Sequence, residues 1–271
     1  MFELLNYEFM RNAFLGALIG GASCGLVGVF VILMRIPFIG VALAHSAFAG
    51  AVLGILVGVN PLALALIFSL ISAILIGPIA DRAEFDPNIS IGIIFAIVLG
   101  IAFLCMGLIK GPKTEALKFI WGNILTISRK DIWLMLILLI IIILFLFSLF
   151  KEIKSVLFSR DISAAVGLPE KKIYYSMLIL TGLVISLNLN TIGGLLIFSL
   201  IINPAASAYQ LTYNLKKMFI LSAVFGILSS LSGLIFSYFF NAPSGAVIII
   251  ISSIIFAFTF IFSPKRKVRK I

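Results

Sequence analysis

The sequence predicts an all-α, polytopic helical membrane protein with about eight or nine transmembrane helices, and three observations predict it. Of the 271 residues, 62% are apolar and only 11% are charged, where an average soluble domain carries about 25% charge. The charges are also unevenly spread: 12–34, 36–80, 87–109, 132–150, 173–215 and 218–264 contain no Asp, Glu, Lys or Arg and together hold 200 residues. A helix crossing a bilayer needs about 20 residues at about 1.5 Å each, and turn-forming clusters divide the three longer runs at that spacing. Soluble enzymes, nucleic-acid-binding domains and disordered regulators are excluded. A transmembrane barrel is excluded too, because its strands alternate apolar and polar residues, and Leu134 to Phe147 is apolar without interruption.

The spans follow in order within one domain, 1–271. The first, about 12–34, carries Gly16, Gly20, Gly21, Gly25 and Gly28, a ridge of small residues for close helix packing. The second, about 39–58, carries Gly50, Gly54 and Gly58 on one face and ends at Gly58-Val59-Asn60-Pro61, a turn by composition. Spans of about 62–80, 88–109 and 132–150 come next. Between the last two lies 110–130, an amphipathic and re-entrant stretch from Ala116 to Ile127 around Trp121-Gly122. The sixth span, about 173–188, is short and ends in Asn188 and Asn190; a turn over Asn188 to Gly194 leads to the seventh, about 192–210. Gly226, Ser229, Ser230 and Gly233 form another small-residue face in the eighth, about 218–240. The turn Asn241-Ala242-Pro243-Ser244-Gly245 opens the ninth, about 244–263.

One loop has structure of its own. In 159–168, Ser159 or Asp161 can cap a helix, Gly167 can end it and Pro169 blocks its continuation. A helix of two turns is marginal alone, so it needs a partner surface. The first 11 residues hold Glu3 and Glu8 against Arg11, unlike the basic start of a signal peptide.

With nine crossings and the C-terminus in the cytoplasm, 14 of the 20 Lys and Arg lie inside and 6 outside, as the positive-inside rule requires. The net charge of +10 calls for no nucleic acid. Lys265, Arg266, Lys267, Arg269 and Lys270 form a juxtamembrane cluster suited to anionic membrane lipid.

Several motifs are absent or out of context. Cys24 and Cys105 fall inside spans and read as small apolar filler. There is no Walker motif and no H-E-x-x-H. Gly21-Ala22-Ser23-Cys24-Gly25 matches G-x-S-x-G, but a nucleophile elbow needs a strand before the Ser, and the match sits within the first span. His45 is the single His and the one ionisable residue deep in an apolar run. Such groups in a bilayer are costly and face a cavity or pathway, and imidazole ligates transition metals. A helix-to-helix hydrogen bond is the other reading. Asn203-Pro204 interrupts the seventh span, and interrupted helices line substrate paths in transporters, although proline kinks without that role also occur. The candidate pathway is therefore His45, Ser46, Asn188, Asn190, Asn203 and Pro204.

These residues resemble a family: the membrane permease subunits of zinc, manganese and iron ABC importers. The stretch 28–50 looks like that family's first-to-second-helix signature, with its Gly-Asp-Ala-Leu-Ser-His-Ala pattern. Trp121-Gly122-Asn123-Ile124-Leu125 resembles its Phe-Gly-Asp-(Ile/Leu)-Leu element, and 158–169 its coupling helix. The stretch 193–212 is similar to its Gly-x-Leu-Leu…Pro-Ala-Ala-x-Ala motif, and Pro243-Ser244-Gly245-Ala246 to its last-helix entry. The resemblance runs in order over nearly the whole chain.

It implies an ABC importer permease fold in a prokaryotic plasma membrane. Two permeases, as a homodimer, would form the core that moves a divalent transition metal ion or its complex by alternating access. A separate cytoplasmic ATP-binding subunit would dock on Asp161, Ile162, Ala164, Ala165, Val166 and Gly167, and an extracytoplasmic solute-binding protein would deliver the substrate. ATP-Mg would belong to the ATPase; this chain would bind no cofactor and carry no catalytic residue. The family places a carboxylate one helical turn before the His, where this chain has Val41, and Asn123 and Asn241 also replace expected Asp residues. His45 is then a metal ligand without its usual partner. The alternatives are an ATP-independent secondary carrier and an intramembrane serine hydrolase.

Overall fold

The computed structural model describes residues 7–110 and 127–265. The Trp121 to Leu125 element, most of the amphipathic stretch from Ala116, the side chain of Asn190 and the tail cations from Arg266 onward lie outside the described residues. Among the described residues the chain is helical: α1 (Glu8–Leu33), α2 (Ile39–Val57), α3 (Pro61–Ala83), α4 (Pro87–Leu108), α5 (Arg129–Ser148), α6 (Phe150–Phe158), α7 (Arg160–Ala165), α8 (Glu170–Ile192), α9 (Gly194–Leu211), α10 (Leu215–Phe240) and α11 (Ser244–Ile261). Eight of these, α1 to α5 with α8, α10 and α11, are long and apolar enough to cross a membrane, counting α8 from Glu170 to Leu189.

Local side-chain chemistry fixes the helix ends. Asn60 caps α3, its Oδ1 accepting from the Leu62 and Ala63 N–H groups at 2.9 and 3.3 Å, with Pro61 in the first turn. Asp86 caps α4 by accepting from Asn88 N–H at 2.8 Å, again before a proline. Ser128 and Asp131 form a reciprocal capping box on α5. Gly58 and Asn241 end α2 and α10 in the left-handed region, at φ 75° and 48°. The break expected over Asn188 to Gly194 is narrower than its composition suggests, and the short sixth helix is not observed. α8 runs 23 residues to Ile192, and the turn falls on Gly193 at φ 92°. Asn188 supports the helix instead of ending it, because its Nδ2 donates to the Val184 carbonyl one turn back at 2.8 Å.

α1 is the central helix: 83% of its most apolar stretch is buried, against 17% for α11. α10 and α9 pack along one side of it, and α5 and α8 also contact it. The α1–α10 seam is made by small residues. A Cβ on Gly21 would come within 2.5 Å of the Gly226 carbonyl oxygen, and one on Gly25 would strike the Ser222 carbonyl. Ser222 and Ser230 use that proximity, donating to the Gly25 and Ala17 carbonyls at 2.6 Å each. Lipid tails are as apolar as Leu, so close backbone approach and interhelical hydrogen bonds drive such association rather than hydrophobicity. α2 packs against α3 and α4, with Gly50 set on the Leu64 backbone. Ser69 Oγ donates to the Gly182 carbonyl at 3.1 Å and joins α3 to α8.

The G-x-S-x-G match lies in the middle of α1. Ser23 is 1% exposed and its Oγ donates to the Gly20 carbonyl at 3.1 Å. No strand precedes it among the described residues, so the elbow geometry of a serine hydrolase is missing.

Candidate translocation and coupling sites

His45 lies in α2, half-buried, with its ring edge-on to Phe95 of α4 at a centroid distance of 5.2 Å. Its Nδ1 is 3.0 Å from the Val41 carbonyl one turn back. A carbonyl only accepts, so Nδ1 is the donor in this contact and Nε2 is the ring nitrogen left for another partner. Metal-ligating histidines commonly hold their second nitrogen in this way. Position 41 therefore contributes its backbone oxygen to the ring, while its Val side chain contributes no charge. Among the described residues, no group of three or more His, Cys, Asp and Glu gathers into a metal cage.

The other expected pathway residues fall into separate places. Ser46 is fully buried at the α2–α3 contact, donating to the Phe68 carbonyl at 2.9 Å and lying 2.6 Å from Ser72 Oγ. Asn188 is 1% exposed within α8. Asn203 in α9 is half-buried and reaches α11, its Nδ2 donating to Ser252 and Ser253 Oγ at 3.0 and 3.1 Å. Ser199 joins that group through Ser252 at 3.2 Å. Pro204 sits inside α9 and is buried, and Ser207 Oγ donates to the Asn203 carbonyl beside it at 2.7 Å. Among the described residues, no hydrogen bond joins His45 to Asn188 or Asn203. The Ser252 and Ser253 partners carry no motif and escape a sequence reading.

The 159–168 loop folds as α7, a short helix with ordered ends. Ser159 Oγ accepts from Ile162 N–H at 3.3 Å; past α7, Gly167 takes φ 85° and Leu168 N–H returns to the Ser163 carbonyl. Ser163 is fully buried against Ser155 of α6 at 2.8 Å. Asp161, Ile162, Ala164, Ala165, Val166 and Gly167 are all exposed. With Phe158, Ile162 and Val166 they present an apolar row, 82%, 53% and 75% exposed in that order.

Arg160 holds this helix to the bundle, a pairing the sequence did not reveal. Its two terminal nitrogens bind the Asp81 carboxylate at 3.0 Å each, closing a fork on the last turn of α3. The same guanidinium reaches Glu170 at the start of α8 at 3.2 Å and lies 4.2 Å from the Tyr174 ring centre. Tyr175 donates to Asp81 at 2.7 Å. Burial alone would lower the Arg160 pKa, but the hydrogen bonds and charges of Asp81 and Glu170 raise it on balance. α7 is thus tied to two spanning helices at once.

Residues 6–263 match the family model described as ABC 3 transport family. This chain belongs to that family. It is 32% identical over 263 residues to the manganese transport system membrane protein MntC of Listeria monocytogenes, covering 97% of this chain and 94% of that protein. To the manganese import system permease protein ScaB of Streptococcus gordonii it is 30% identical over 267 residues, covering 98% and 96%. It also resembles the structure of PsaBC from Streptococcus pneumoniae in complex with Fab, with a TM-score of 0.85 and 29% identity over 98% of this chain and 96% of that one. The ABC 3 family chain described here is a multi-pass permease subunit of an ABC importer, a transporter component and not an enzyme.

Proposed function

We propose that this permease moves a divalent transition metal ion, manganese before zinc or iron, from outside a prokaryotic cell into its cytoplasm. Two copies form the pathway, a solute-binding protein delivers the ion, and a cytoplasmic ATPase drives alternating access with its own ATP-Mg. This chain binds no cofactor. The names of its relatives support the choice of metal.

The observation that carries the reading is α7. Ile162 on α7 and Val166 just past its end are exposed, and Arg160 ties that helix to both α3 and α8. A push on that apolar surface from an ATPase is delivered to two spanning helices without slack. A secondary carrier has no use for such a surface. On the pathway side, Nε2 of His45 offers one ligand to the passing ion, and Ser46, Asn188, Asn190, Asn203 and Pro204 belong to helices that bound the route. A lone imidazole neutralises no charge, and Mn²⁺ prefers oxygen ligands. The ion therefore keeps much of its water and is passed along rather than caged.

The test is manganese uptake into vesicles holding the permease, its ATPase and its binding protein. Ile162→Asp with Val166→Asp is expected to abolish both ATPase co-purification and ATP-dependent uptake. Uptake that survives this change without ATP would establish the carrier instead.

A further inference from the structure

A cleft of about 550 Å³ opens beside α7, between the end of α1, α6, the C-terminal end of α9 and the start of α10. Lys151 and Lys154, one turn apart on α6, line one wall, and Lys265 just past α11 lines another. Thr212 and the rings of Tyr209 and Tyr213 complete it, over apolar side chains such as Leu33 and Met218. Lys265 is held in place rather than left in solution. Its Nζ lies 3.7 Å from the Tyr209 ring centre and 4.5 Å from that of Tyr213. The chain is pinned just before it, because Ser263 Oγ bonds to the Gln210 carbonyl and side-chain oxygen at 2.9 Å each.

Three lysines therefore line one space, and no acidic side chain does. Among the described residues the ion pairs are Arg129–Glu8, Arg160–Asp81 and Arg160–Glu170, so none of the three lysines is paired. Burial takes water from Lys265 and lowers its pKa from the ordinary lysine value, the cost expected of an ammonium kept without its counter-ion. The sequence beyond 265 adds cations and no acid.

We propose that this cleft binds the headgroup of an anionic phospholipid, its phosphate among Lys151, Lys154 and Lys265. The position selects a lipid over a free anion. One turn before Lys151, Phe147 is 87% exposed, and one turn before Lys265, Ile261 and Phe262 are 60% and 73% exposed. The cations thus follow directly on apolar surface suited to acyl chains, with Tyr209 and Tyr213 at the level where tyrosines gather in membranes. The cleft also falls within the size range of ligand sites, about 300 to 1,000 Å³. Because Phe158 lines it as well, the lipid would sit against the base of α7.

Native mass spectrometry of the intact transporter, with phosphatidylglycerol or phosphatidylcholine added, tests this. Wild type is expected to retain phosphatidylglycerol selectively, and each of Lys151→Gln, Lys154→Gln and Lys265→Gln to lower that retention roughly fivefold. Lys130→Gln with Lys171→Gln and Lys172→Gln, outside the cleft, is expected to change nothing. The three cleft changes combined are expected to abolish the selectivity, and the single variants stand in if that combination does not fold, judged by its melting temperature. Equal retention of both lipids, or loss in the control variant equal to that in the cleft variants, overturns the proposal. So does displacement of phosphatidylglycerol by inorganic phosphate at millimolar concentration, which would make the site one for a free anion. Unchanged lipid retention with loss of ATPase co-purification would assign the cleft to an acidic segment of that partner and equally overturn it.

Discussion

At the scale of single residues, His45 concentrates most of what distinguishes the proposed pathway. It stands out in the sequence because no other ionisable group lies within 36–80 except itself, and the structure gives it a defined tautomer through the Val41 carbonyl. On the proposed function, this half-buried imidazole next to Phe95 would present Nε2 to a passing cation, but a single neutral ligand binds weakly. Replacing it with Ala should lower manganese uptake roughly 10-fold or more, by the measure of groups that ligate or orient ligands. The melting temperature should barely move, since the ring's hydrogen bond is local. Val41→Asp is the complementary change. Residue 41 is one turn before residue 45, so its carboxylate would share the ring's face. Uptake at low manganese should rise, and turnover at saturation should fall as the ion is held longer. Radioisotope uptake over a range of concentrations separates the two effects. Equal curves for wild type and both variants would return His45 to a structural role.

At the scale of elements, ordinary turn chemistry was legible and long-range pairing was not. Asn60-Pro61 and Asn241 carry their turns in their own side chains and backbone, so Gly58 to Pro61 and Asn241 to Gly245 are readable locally. Asn188 looks the same in a sequence, yet its amide bonds backward into α8, and the break moves to Gly193. Composition cannot tell an Asn that ends a helix from one that supports it. α7 was legible from its caps, whereas the contact that holds it joins residues 79 apart, Arg160 and Asp81. Nothing local announces that pair, although a carboxylate ending an otherwise uncharged span is a signal in hindsight. The two side chains are only 27% and 19% exposed, so removing one strands the other away from water. Arg160→Gln should cost about 2 to 3 kcal/mol, below the range for fully buried pairs. It should also uncouple ATP hydrolysis from uptake, because α7 loses its grip on α3 and α8. Asp81→Asn added to Arg160→Gln should restore part of the stability but not the coupling. A double-mutant cycle of melting temperatures and an ATP-to-manganese ratio read these separately.

At the scale of the whole molecule, the helices arrange charge as well as packing. Asp81, Arg160 and Glu170 meet at one end of the bundle, and Leu33, Lys154, Tyr209 and Lys265 share the cleft beside α7. The α2–α3 turn at Gly58 to Asn60 follows a spanning helix away from that end. Charge therefore predicts the orientation: among the described residues, the α7 end holds most of the Lys and Arg and should face the cytoplasm. Both native cysteines are buried, which keeps the background of thiol labelling low, so introduced cysteines report on side directly. Val166→Cys sits on an exposed position of the loop after α7, and Val59→Cys on an exposed position of the α2–α3 turn. A membrane-impermeant maleimide should label Val59→Cys in intact cells and Val166→Cys only in inverted vesicles. The opposite pattern would put α7 on the wrong side for an ATPase and defeat the coupling argument, whatever metal the permease carries. Labelling of Val166→Cys should also fall when the ATPase is present, because the same side chain would then be covered. That protection links orientation, α7 and the energy source in one measurement.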